Sequence, residues 1–76
     1  MKHEIPENVT NSAVLYCINE FVRLERDREI LKDHWFHGLS IYGLMNKYQI
    51  SDTAVKKVLY GIGDRVLIMA AKLNQH

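Results

Sequence analysis

The chain has 76 residues and a formal net charge of +1; 47% of it is hydrophobic and 25% charged. At this length it is one domain that buries only about 60% of its unfolded surface, and its composition excludes a disordered tail. A near-neutral total is not the strongly basic footprint of many nucleic-acid binders, but the charge is unevenly spread. Residues 1–39 carry five Lys or Arg against seven Asp or Glu, whereas residues 40–76 carry five against two. An anionic partner would therefore meet the C-terminal half.

The segment "MKHEIPENVTNS" lacks the apolar stretch of a signal peptide, and no run of about 18 apolar residues occurs as a membrane span would require. With a single cysteine, Cys17, no internal disulfide can form, and the apolar neighbours Tyr16 and Ile18 mark it as a small buried hydrophobe. These features predict a cytoplasmic chain with no membrane partner.

Residues 1 to about 10 contain the only proline, Pro6, and no helical period, which predicts an N-terminal arm. Residues 11–76 then form a single helical domain. Asn11 or Ser12 can cap its first helix, along which Cys17, Phe21, Leu24, Leu31 and Trp35 recur at spacings of three, four and seven. With no Gly or Pro between Glu7 and His37, one long or slightly bent helix from Ser12 to Phe36 is predicted, the alternative being a break within "RLERDRE". Trp35 is expected to be buried between this helix and the helix pair after it. Opposite charges in "RLERDREILKD" fall at helical neighbours and read as a solvated face. Gly38 stops the helix, because glycine readily takes the left-handed cap conformation.

Ser40 is a good N-cap for a short second helix, Ile41 to about Tyr48, with Leu44, Met45 and Tyr48 on its buried side. "QIS" is a turn, and Ser51 or Asp52 caps the next helix. That helix turns Val55, Val58, Leu59 and Ile62 to one side and Thr53, Lys56, Lys57 and Tyr60 to the other. Gly61 and Gly63 predict either a bend or a short fourth helix reaching about Leu73. The fold class is thus all-α, a small three- to four-helix domain with a long N-terminal helix and a helix-turn-helix at about residues 40–69.

The stretch "REILKDHWFHGLSIYGLMNKYQISDTAVKKVLYGIGDRVL", Arg28 to Leu67, resembles the helix-turn-helix of region four of bacterial sigma factors and of small phage and mobile-element proteins like it. Arg28, Glu29, Ile30 and Leu31 carry the match, with Gly38, Leu39 and Ser40, then Leu44, Ile50, Ser51, Val55 and Leu59. The family's small alanine is Met45 here, its turn glycine is Gln49, and Gly61 and Gly63 stand where it has late basic residues. The resemblance implies a stand-alone DNA-binding module that regulates transcription in a prokaryote, phage or mobile element, without a promoter-melting region.

In such a module the N-terminal part of the recognition helix meets base edges in the major groove. Thr53, Lys56, Lys57 and Tyr60 have the required spacing, with Ser51 and Asp52 at the tip. Lys56 or Lys57 can donate to guanine O6 and N7, Thr53 can meet a thymine methyl or a phosphate, and Tyr60 can reach a phosphate oxygen. Ser40 and Lys47 are candidate phosphate clamps beside the opening N–H groups of the second helix. Double-stranded DNA is the expected partner, with a second copy of the chain to double the contacts and an RNA polymerase or phage protein beside it. The rival reading is a helical protein-interaction or oligomerisation module, with Trp35, Phe36, Tyr42 and Tyr48 contributing to an apolar patch.

No metal or other cofactor is expected. His34 and His37 lie three apart, with Cys17 as a third candidate ligand, but a structural zinc site needs a fourth and there is no CxxC. No phosphate loop or nucleophile elbow suggests an enzyme, and "YGIGD" follows no strand as a dinucleotide fingerprint would.

Overall fold

The computed structural model describes residues 5–74 and is all-helical, with no strand among those residues. Its elements are α1 (Asn11–Phe21), α2 (Glu25–Trp35), α3 (Ile41–Tyr48), α4 (Asp52–Lys56) and α5 (Gly63–Leu73), with a π-helical stretch, Lys57–Ile62, between the last two. The backbone stays right-handed helical through Lys56, Lys57, Ile62 and Gly63, so α4, the π stretch and α5 form one rod, giving four rods in all.

Each start has a local cause. Ser40 Oγ accepts from the Gly43 N–H at 3.1 Å and Ser51 Oγ from the Ala54 N–H at 3.1 Å, satisfying backbone donors that open α3 and α4. Between the two, Ser51 rather than Asp52 is the cap. At α1 the cap is Thr10, whose Oγ1 accepts from the Ala13 N–H at 3.2 Å, so neither Asn11 nor Ser12 holds that position. Thr10 also donates its backbone N–H to Asn74 Oδ1 at 3.4 Å, tying the start of α1 to the end of α5. The described part of the N-terminal arm is docked: Val9 is buried and its N–H closes a turn onto the Pro6 carbonyl.

Two left-handed residues turn the chain after α2 and α3. Gly38, at φ 75°, follows α2, and Gln49, at φ 55° and ψ 48°, ends α3. A non-glycine residue in this region is uncommon. The side chain of Gln49 partly offsets its cost by donating to the Asn46 carbonyl at 2.7 Å.

The long first helix is corrected to two. Val22 and Leu24 are extended, and Arg23 stands between them. The Arg28 guanidinium reaches back from α2 to donate to the Val22 carbonyl at 2.7 Å and the Arg23 carbonyl at 3.1 Å. It occupies acceptors that the end of α1 leaves open, and so holds an elbow where no Gly or Pro marks one. The break also resets the helical phase. Val14, Cys17, Ile18 and Val22 fill the core from α1, and Ile30 and Leu31 from α2, while Phe21 and Leu24 turn outward. Trp35 is half-buried and packs against the core.

The core continues through Leu44 of α3, Val55, Val58 and Leu59 at the start of the last rod, and Val66 and Ala70 of α5. α5 packs mainly on α1, and α4 on α3. Cys17 is buried here, and burial pushes its thiol up.

Two glycines sit at or beside the π stretch, and only Gly63 is buried. A Cβ added at Gly61 would meet nothing within 4 Å, and its φ is not positive. Gly61→Ala is therefore expected to stabilise the domain by about 0.5 to 1 kcal/mol, read as a raised thermal midpoint, because alanine removes backbone freedom from the unfolded chain. An unchanged or lowered midpoint would mean that the π stretch itself needs the glycine.

Candidate nucleic-acid interface

α3 and the rod that begins at α4 are joined by Gln49, Ile50 and Ser51 alone. Ser40 and Ser51 cap the two helices, and the half-buried Ile50 packs against the core at the angle between them. Val55, Val58 and Leu59 are buried, anchoring the second helix along one side. The opposite side carries the exposed Thr53, Lys56, Lys57 and Tyr60. These four line a shallow concavity with Asp52 and Gly61. Ser51, also exposed, stands at its leading edge.

Electrostatics separate the lysines. Lys56 Nζ lies 3.1 Å from Asp52 Oδ1, one helical turn back, and both side chains are about half exposed. Such an exposed pair is worth about 0 to 1 kcal/mol, so it yields readily to a stronger anion. Lys57 makes no ion pair among the described residues, and Gly61 leaves the end of the concavity open.

Ser40 and Lys47 lie apart from this concavity, on the α3 side. The Ser40 hydroxyl accepts from the backbone as a cap. Lys47 Nζ lies 2.7 Å from Asp33 Oδ2, and its ammonium sits 5.4 Å from the centre of the Tyr48 ring. Comparison with protein-family models, curated proteins and solved structures finds no match. The function must be read from the site.

Asp33 is the feature that charge patterning misses. It is 4% exposed at the heart of a cluster that joins α2 to α3. Its carboxylate accepts from Lys47 and from the Tyr48 hydroxyl, and His37 Nδ1 lies 3.0 Å from its other oxygen. Asp27 is buried as well, taking Arg26 Nε at 3.2 Å and Nη2 at 3.0 Å. The acidic face of α2 is therefore solvated only in part, although Glu29 and Lys32 form the expected surface pair at 3.5 Å. His34 is half-buried, with Nδ1 2.8 Å from the Leu39 carbonyl, and so helps shape the turn into α3. No group of three or more metal-ligating side chains occurs among the described residues.

Burial alone would raise the Asp33 carboxyl. Hydrogen bonds from Lys47, Tyr48 and His37, with the Lys47 charge, instead bring it from 3.8 down to about 2. Burial and the Asp33 carboxylate together hold the Tyr48 phenol above its ordinary range. Because the folded value of Asp33 lies below the unfolded one, its contribution is complete above about pH 4 and disappears as pH falls towards 2. That contribution is about 2 kcal/mol. Asp33→Asn should cost about this much at pH 7, and denaturant titrations from pH 7 to pH 2 should show the two proteins converging. A gap that stays constant down to pH 2 would show that the cluster is held by shape rather than by charge.

Proposed function

We propose that this chain is a sequence-specific DNA-binding module of helix-turn-helix type, with α4 and the start of the π stretch as its reading head. The observation that carries the reading is the division of that helix into two sides. Val55, Val58 and Leu59 tether it, and Thr53, Lys56, Lys57 and Tyr60 project together from the opposite side. A helix presented this way offers side chains to base edges in the major groove, while the preceding helix crosses the backbone. The resemblance of Arg28–Leu67 to sigma region four supports the same reading. It extends it to regulation of transcription in the cytoplasm of a prokaryote, or by a phage or mobile element.

Roles divide by geometry. Lys56 and Lys57 donate to guanine edges or phosphates, Thr53 meets a thymine methyl, and Tyr60 reaches a phosphate oxygen from the far end. Ser51 and Asp52 sit at the tip, where Asp52 releases Lys56 on contact with DNA. Ser40 acts as a cap before it acts as a clamp. Lys47 is committed first to Asp33, and its half-exposed side chain adds long-range attraction for phosphate.

The test is a fluorescence-anisotropy titration against mixed duplex at two salt concentrations, followed by selection of a preferred site. Each phosphate neutralised contributes about −0.9 to the slope of log affinity against log salt. A salt-dependent affinity and a selected site support the reading, and no binding at low salt rejects it. A protein-interaction module is the second reading, favoured by the outward-facing Phe21 and Leu24 at the elbow.

A further inference from the structure

Phe21 is 53% exposed and Leu24 is 58% exposed, on either side of the α1–α2 elbow. They border a cleft of about 310 Å³ that is also lined by Ile62 from the π stretch and by Val66 and Met69 from α5. A cavity of about 150 Å³ is enough for one benzene ring, so this cleft has room for about two large apolar side chains. Its rim carries charge of one sign. Arg23 and Arg65 line the cleft, both are exposed, and neither forms an ion pair among the described residues. The single carboxylate in the lining, Asp27, is neutralised by Arg26.

An apolar trough with two uncommitted guanidinium groups at its edge selects its occupant by chemistry. We propose that the elbow cleft is a docking site for an amphipathic helical segment of another protein, one that inserts apolar anchors and carries acidic residues beside them. Anchors one helical turn apart would fill the trough between Leu24 and Met69, and flanking carboxylates would pair with Arg23 and Arg65, for which the guanidinium fork is well shaped. A second copy of the chain fits poorly, because a two-fold contact would set the same arginines against one another. The inference does not rest on DNA binding, since the cleft shares no lining residue with the concavity of Lys56 and Lys57. If both sites are occupied, a partner held at the elbow is carried to whatever the other face binds.

The experiment uses the whole chain and three labelled helical peptides, read by anisotropy. One has leucines at helical spacing flanked by glutamates, one has lysines in place of the glutamates, and one has alanines in place of the leucines. The glutamate peptide should bind saturably and the lysine peptide at least about tenfold more weakly, since like charges at a rim oppose encounter. The alanine peptide should not bind. The double variant Arg23→Glu with Arg65→Glu alters two exposed positions and should invert the preference between the charged peptides. Leu24→Ser should weaken binding of the glutamate peptide. Equal binding of the charged peptides, no binding of any, or an uninverted preference in the folded double variant overturns the proposal. So does a dimer of the parent chain in sedimentation that Leu24→Ser abolishes, because the cleft would then belong to a second copy.

Discussion

Lys56→Ala together with Lys57→Ala is expected to leave the domain folded and to lower its affinity for duplex DNA sharply. Both side chains are exposed, whereas the residues that tether their helix, Val55, Val58 and Leu59, are buried and unchanged. A lysine that reads a base should cost about 1 to 3 kcal/mol at one position of the site, on the order of 10- to 100-fold. A lysine that anchors a phosphate should weaken all sequences alike and reduce the salt slope by about one. Comparing the double variant with the parent on a preferred and a random duplex, each at two salt concentrations, separates reader from anchor. Unchanged affinity and slope in a folded variant would remove α4 as the reading head and leave the helix pair as core architecture.

The largest loss of stability should come from the other side of the same helix. Leu59 is fully buried and stands next to the exposed Tyr60. Leu59→Ala removes buried methyl groups and leaves a cavity at the junction of the last rod with the rest of the core, which typically costs about 2 to 5 kcal/mol. Small domains hold only about 5 to 15 kcal/mol in total, so the variant should be partly unfolded near physiological temperature. Tyr60→Ala, one residue away on the exposed side, should cost clearly less than Leu59→Ala because it leaves no buried cavity. Urea denaturation of the pair checks both. A Leu59→Ala cost below about 1 kcal/mol would mean that the rod is held elsewhere.

Local signals in the sequence are the ones that the fold honours. Gly38 ends α2 in the left-handed region, Ser40 and Ser51 cap the next two helices, and the alternation of Val55, Val58 and Leu59 with Lys56, Lys57 and Tyr60 separates buried from exposed. Each of these depends on residues within one or two turns of one another. The elbow at Val22–Leu24 was legible only as the alternative of a break within "RLERDRE", because the uncapped carbonyls there are met by Arg28, a residue that the sequence presents as a member of a surface charge pattern. Once the phase slips, a stripe counted straight through puts Phe21 and Leu24 inside when they face out. Asp33 was hidden for a related reason: its partners Lys47 and Tyr48 lie 14 and 15 residues away on another helix, beyond any local period. Of the candidate interface, the face on α4 was readable, whereas the commitment of Lys47 to Asp33 required the tertiary structure.

The π stretch has a consequence for how the chain tolerates change in length. Its defining bond, from the Gly63 N–H to the Val58 carbonyl five residues back, takes up one residue more per loop than an α-helix does. Removing one residue at the exposed Gly61 would let the rod close up as regular α-helix, with the parts before and after it kept in nearly the same phase, whereas the same deletion in a regular α-helix would turn everything after it by about 100°. Val66 and Ala70 would then keep their seat against α1 while Val55 and Lys56 stayed where they are. The extra residue is slack held within one loop of the rod. The rod can therefore shorten by one residue at this point without retiming either the packing of α5 on α1 or the outward face that carries Lys56 and Lys57.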